Sequence, residues 1–301
     1  MLENKIRTPE ELKKYMLDLK KWLAKERDKP IEEMADFFSN RIDNYDNIHL
    51  NNWAEEYAHI ADYFDTSINS LLDIGCGTGL ELASIYQKFP NVKVTGIDLS
   101  KDMLEKLRVK YADKDIDLIM ADYFEYPLEA EKYDAALSFE TLHHFKYSKK
   151  QKIYDKLFQT IKCGGYYIEC DYVACCLDEE MLCLEQYEFK RKENHIPDDV
   201  FVHIDIPLTL EHQIQLMKNA GFRNVHILYE NKSTMIIKAE KSTSPRGTPF
   251  SDVTATQKNV TASANAGDFP TPPCASGLLA MTTANTPKWK RRTSIRRIGR
   301  K

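Results

Sequence analysis

The sequence contains no apolar run approaching the roughly 18 residues that span a bilayer, so a helical membrane protein is not expected. It has no excess of positive charge. Lys and Arg total 42 against 46 Asp and Glu, and the net charge of −4 gives the chain as a whole no reason to seek a polyanion. It lacks a regular cysteine framework: seven cysteines, an odd number without even spacing, favour reduced thiols over disulfides. No leader pattern follows Met1, because a charged stretch begins at once, and a cytoplasmic protein is expected. What is present is a chain of 301 residues, 43% hydrophobic and 29% charged, long enough to bury a sizeable core.

Composition divides the chain into three zones. Residues 1–65 read as a helical cover. Leu12, Tyr15, Met16, Leu19, Trp22 and Leu23 recur at three- and four-residue steps, Pro30 breaks the pattern, and further helices are predicted over 31–38 and 52–64. Residues 66–240 alternate strands (70–74, 92–97, 116–120, 133–138, 166–171) with helices (80–89, 101–111, 149–161), which predicts a parallel sheet covered on both faces. A partly helical cap insertion follows over about 172–208, then a helix from Thr209 to Ala220 stopped by Gly221. The last strands, 225–229 and 234–239, are too close for a parallel crossover, so the final strand is expected to be antiparallel. Residues 241–301 are rich in Thr, Ser, Pro, Ala and Asn, with 11 basic and 2 acidic residues, and read as a disordered basic tail. Residues 1–240 are left with 31 basic and 44 acidic residues, an acidic fold.

The most informative segment is Asp73-Ile74-Gly75-Cys76-Gly77-Thr78-Gly79, where an apolar strand runs into alternating glycines and a helix opens. Glycine lets the chain turn sharply and lets a ligand touch the backbone. The loop is G-x-G-x-G rather than the dinucleotide G-x-G-x-x-G, and no Lys-Ser/Thr follows as in a phosphate-binding loop. Asp73 would repel a pyrophosphate and suits a cationic ligand. Asp98 ends the next strand, 25 residues on, where an acid is placed to accept ribose hydroxyls.

The sequence here resembles the class I S-adenosylmethionine-dependent methyltransferases. The resemblance is carried by the glycine loop and by Val94-Thr95-Gly96-Ile97-Asp98-Leu99-Ser100. It continues through Ala121-Asp122, Tyr133-Asp134-Ala135-Ala136-Leu137-Ser138 and Ile161-Lys162-Cys163-Gly164-Gly165-Tyr166, covering about residues 35–240. It implies a Rossmann-like α/β fold, a doubly wound seven-stranded sheet with an antiparallel final strand, and S-adenosylmethionine as cofactor. It further implies that Gly75, Cys76, Gly77 and Gly79 form the cofactor loop with Asp73 near the amino group. Asp98 would hold the ribose, Leu99 and Met103 would pack on adenine, and Asp122 would meet its amino group. Ser138 would lie beside the sulfonium, and Tyr45, in Asn44-Tyr45-Asp46 ahead of the third helix, would belong to a closing lid. Plainer readings stand beside these: Leu99 and Met103 as core, Asp122 as a turn cap, Tyr45 as a packing residue.

His143 and His144 follow the fourth strand, where open α/β sheets place their chemistry; they are candidates for a base or for orienting an acceptor, or they shape the loop. Tyr172, Tyr187, Arg191, His195 and His203 are candidates for the acceptor pocket. Cys163, Cys170, Cys175, Cys176 and Cys183 show no C-x-x-C or His spacing, and no metal is expected. The expected reaction is methyl transfer to a small molecule. A tRNA-modifying enzyme, with nucleic acid held through the tail, and a non-catalytic cofactor-binding scaffold are the alternatives. No N-P-P-Y-type tetrapeptide follows the fourth strand, which reads Ser138-Phe139-Glu140-Thr141.

Overall fold

The computed structural model describes residues 2–243 together with the backbone of Arg296–Arg297. The expected tail disorder therefore lies almost wholly outside the described residues. Inside them, the chain stays paired through Lys241, whose amide donates to the Gly165 carbonyl at 2.8 Å.

The sheet is built from β1 (Ser70–Ile74), β2 (Lys93–Asp98), β3 (Ile116–Met120), β4 (Tyr133–Phe139), β5 (Ile161–Tyr172), β6 (Val225–Asn231) and β7 (Thr234–Glu240). Its order is β6-β7-β5-β4-β1-β2-β3, and a two-residue β8 (Arg296–Arg297) pairs antiparallel with β3 as an eighth strand. β1 to β5 run parallel, and β7 is antiparallel to both β5 and β6. The antiparallel final strand follows from the short link: Asn231 pairs with Thr234 across a two-residue turn.

Helices α4 (Leu82–Lys88), α5 (Lys101–Lys110), α6 (Tyr147–Thr160) and α8 (Leu210–Ala220) cover the sheet, and α7 (Leu177–Glu193) lies in the insertion. Alternation along β1 places Leu71 in one core layer and Leu72 and Ile74 in the other, all fully buried. Gly221 ends α8 with φ 113°, while Thr209 stands at its N-cap without a side-chain capping bond.

The N-terminal residues form α1 (Pro9–Glu26), α2 (Met34–Ser39) and α3 (Ile42–His59). α1 opens with a full capping box between Thr8 and Glu11. α3 begins ten residues before the helix predicted from 52 and kinks at Trp53, so the apolar period breaks midway and hides its first half. Trp53 Nε1 donates to Thr234 Oγ1 at 3.0 Å, and Glu56 accepts from Tyr229 and Asn231, which ties α3 to the β6–β7 hairpin. The strap before α2 pairs with the insertion: the Met34 amide donates to the Phe201 carbonyl and the His203 amide to the Glu32 carbonyl.

Candidate active site

The C-terminal ends of β1, β2 and β4 open into a cleft of about 630 Å³, counting its open mouth. Gly75 and Gly77 form its floor with Asp98, Leu99, Met103 and Asp122 along one side. Glu140, Thr141 and His144 lie on the other side, and Phe38, Tyr45 and Phe201 form the roof. Gly75 has φ 66° and Gly77 φ 47°, a region other residues rarely enter. A Cβ on Gly75 would sit 2.4 Å from Thr141 Cγ2.

Asp98 locks this loop. Its Oδ2 accepts from the Gly77 amide at 2.9 Å and its Oδ1 from the Ser100 amide at 2.7 Å. Burial raises its pKa while these amides lower it. Asp122 caps the next turn by accepting from the Phe124 amide at 2.8 Å and still lines the cleft. Leu99 is 40% exposed in the cleft wall, whereas Met103 is buried at its base. Tyr45, expected ahead of a helix, lies within the first turns of α3, its hydroxyl 3.5 Å from where a Gly77 Cβ would stand. Asp46 beside it accepts from the Thr78 hydroxyl at 2.6 Å, so α3 is latched onto the glycine loop.

Four other expected residues stand behind the cleft surface. Cys76 packs under Gly96, and Gly79 packs against Leu107 and Tyr111. Ser138 shares a strand face with Ala136, not with Leu137 and Phe139, and its hydroxyl pairs with Tyr167 at 2.6 Å in a network with Glu169, Tyr154 and Gln213. Asp73 is 1% exposed, and neither carboxylate oxygen is hydrogen-bonded. Burial, reinforced by the neighbouring Glu81 and Asp98, pushes its pKa well above the usual carboxylate range.

Asp73 therefore makes a pH-dependent cost in the ligand-free protein. A folded pKa above the unfolded 3.8 contributes stability that is full below 3.8 and is lost as pH rises through the folded value. Asp73→Asn is expected to raise the melting temperature of the ligand-free protein, with a larger gain at pH 8 than at pH 5. Thermal unfolding at both values checks this, and an equal or negative change at pH 8 would refute it.

Of the two histidines, only His144 lines the cleft. The ring of His143 lies behind it, with Nδ1 held by Asp171 Oδ1 and its Nε2 3.6 Å from Asp205 Oδ1. Burial works against a charge on His143, but Asp171, Asp205 and Glu140 outweigh it and raise its pKa to about 9. Burial and the neighbouring His143 lower that of His144. Glu140, at φ 47°, is pushed up to about 8 by burial. None of the five acceptor-pocket candidates lines the cleft. Tyr172 bonds Tyr15 and Glu179, Arg191 binds the Val200 carbonyl and the Tyr187 hydroxyl, and His195 is exposed. His203 stacks on Phe37 at 3.5 Å, 4.5 Å from His144. Sequence reading missed Glu140, Thr141, Asp171 and Asp205. The only local sign was the Asp-Ile-Pro break at 205–207.

The donor set fits a cationic nucleoside. Asp73, Glu81 and Asp98 place three carboxylates beneath the loop without a basic partner at Asp73, and an apolar wall faces them. Residues 71–165 match the family model described as methyltransferase domain. The carboxy-S-adenosyl-L-methionine synthase of Nautilia profundicola is 23% identical over 67% of this chain and 92% of that protein. Malonyl-[acyl-carrier protein] O-methyltransferase 2 of Ilyobacter polytropus is 32% identical over 37% of this chain and 46% of that one. In fold, the Streptomyces venezuelae protein DesVI matches with TM-score 0.50 at 18% identity, covering 67% of this chain and 98% of that one. The methyltransferase SibL matches with TM-score 0.51 at 15% identity, covering 66% and 57%. Together with the glycine loop and the β2 acid, the methyltransferase domain at residues 71–165 and the curated methyltransferase relatives support a class I S-adenosylmethionine-dependent methyltransferase.

Proposed function

We propose that the chain methylates a small-molecule acceptor held between the glycine loop and His144. The observation that carries this is the closure of the cleft. The Glu32–Met34 strap pairs with Phe201–His203 beside the cleft, and Phe38, Tyr45 and Phe201 line it, a covered and largely apolar site of the kind that takes small ligands. The acidic surface of residues 1–240 points the same way, since it favours no polyanion.

Bound S-adenosylmethionine supplies a methyl group already activated by its sulfonium. The chain's own work is to bind, orient and exclude water. Asp98 would accept from the ribose hydroxyls and Asp122 from the adenine amino group. Leu99 and Met103 would flank the base, and Gly75 and Gly77 would let the methionine part lie against the backbone. Tyr45 and Phe38 roof the site. His144, kept neutral by burial, lines the cleft where it would orient the acceptor.

A labelled-methyl screen over small metabolites, with tRNA as a second arm, tests the acceptor class, and transfer to tRNA alone would overturn it. Once an acceptor is known, His144→Ala is expected to lower turnover about 100-fold while cofactor affinity stays within about threefold. Equal losses of both would refute an orienting role.

A further inference from the structure

Behind the cleft wall at His144, His143 Nε2, His144 Nδ1 and Asp205 Oδ1 converge. The three groups offer ligand atoms within 4.8 Å of one another. Asp205 Oδ1 lies 3.6 Å from His143 Nε2 and 3.1 Å from His144 Nδ1. An ion about 2.1 Å from each ligand atom separates neighbouring ligands by roughly 3.0–3.4 Å, close to these spacings. Two further observations point to a ligand. His144 Nδ1 and Asp205 Oδ1 are covered atoms that face each other at 3.1 Å and have no other protein partner than this cluster, although the Asp205 side chain as a whole is 38% exposed. And His143 is aimed from behind. Asp171 takes its Nδ1 and is itself fixed by the Leu142 and Tyr172 amides, leaving Nε2 directed at Asp205. A carboxylate on the far nitrogen is the arrangement that orients metal-bound imidazole.

We propose that His143, His144 and Asp205 form a two-histidine, one-carboxylate site for a divalent transition ion, whose open positions face the cleft and take an anionic oxygen of the methyl acceptor. Two imidazoles and one carboxylate suit Zn²⁺, Fe²⁺ or Mn²⁺ rather than Ca²⁺ or Mg²⁺. The expectation of no metal rested on cysteine spacing and did not weigh an adjacent His pair joined by an acid 61 residues away. The acceptor class rests on the methyltransferase reading, whereas ion binding does not.

The test uses the full chain, stripped with chelator and titrated with Zn²⁺ and Co²⁺ alone by calorimetry and by cobalt absorption. One equivalent is expected to bind. Asp205→Asn and His143→Ala are each expected to weaken it at least about 10- to 100-fold, and Asp171→Asn about 10-fold. Circular dichroism establishes that each variant folds, and Asp113→Asn, on the surface, serves as control. Cys175 and Cys176, with sulfurs 3.9 Å apart, are the competing soft ligands. Binding lost in Cys175→Ser with Cys176→Ser but kept in Asp205→Asn would overturn the proposal, as would no binding at micromolar ion. Titration with S-adenosylmethionine is run separately. Its failure with ion binding intact counts against the methyltransferase reading, and the reverse against the metal site.

Discussion

Gly75→Ala is expected to destabilise the protein by about 2–5 kcal/mol and to abolish cofactor binding. Two costs add. An alanine at φ 66° pays roughly 1–2 kcal/mol for left-handed backbone. Its Cβ would also stand 2.4 Å from Thr141 Cγ2 and 2.7 Å from Thr141 Oγ1, an overlap worth roughly 1–3 kcal/mol in a packed site. For a domain of this size that corresponds to a melting temperature lower by about 5–15 °C. The costs are separable. Thr141→Ala removes both clashing atoms, so the double variant should recover the steric part and leave the backbone part. Thermal unfolding of the four proteins gives the cycle. A loss below about 1 kcal/mol in the single variant would show that the loop does not need glycine there.

Asp98→Ala is expected to weaken S-adenosylmethionine binding at least about 100-fold. The carboxylate would make two hydrogen bonds to the ribose, and bonds to a charged group are worth roughly 1.5–3 kcal/mol each. It also holds the loop: without it the Gly77 and Ser100 amides lose their acceptor, and stability should fall by about 1–3 kcal/mol. Asp98→Asn keeps one acceptor oxygen and should fall between the two. Calorimetry with S-adenosylmethionine and S-adenosylhomocysteine, beside thermal unfolding, separates the effects. Parent-like affinity in Asp98→Ala would remove Asp98 from the site.

Much of this was legible in the residues because it is local. The strand–glycine–helix passage at 70–82, the acid closing β2, the alternation of strand and helix and the short β6–β7 link each lie within a few residues, where period and turn chemistry speak directly. Ser138 shows how far such reading goes. Its place at the end of β4 was right, but a strand's faces alternate, and position 138 belongs to the face buried under α6 and α8. Tyr45 shows another limit, since the kink at Trp53 interrupts the period that would have extended α3 back to Ile42.

By itself, then, the sequence determined the sheet, its antiparallel edge and the cofactor loop, all of which depend on neighbours in the chain. Only the tertiary structure decided what faces the acceptor. Asp171 reaches His143 across 28 residues and Asp205 reaches His144 from an irregular segment. The strap at 32–34 closes against 201–203. No period or turn propensity encodes such meetings. They arise when the packing of the insertion and the N-terminal helices brings distant polar groups together in a space that water has left.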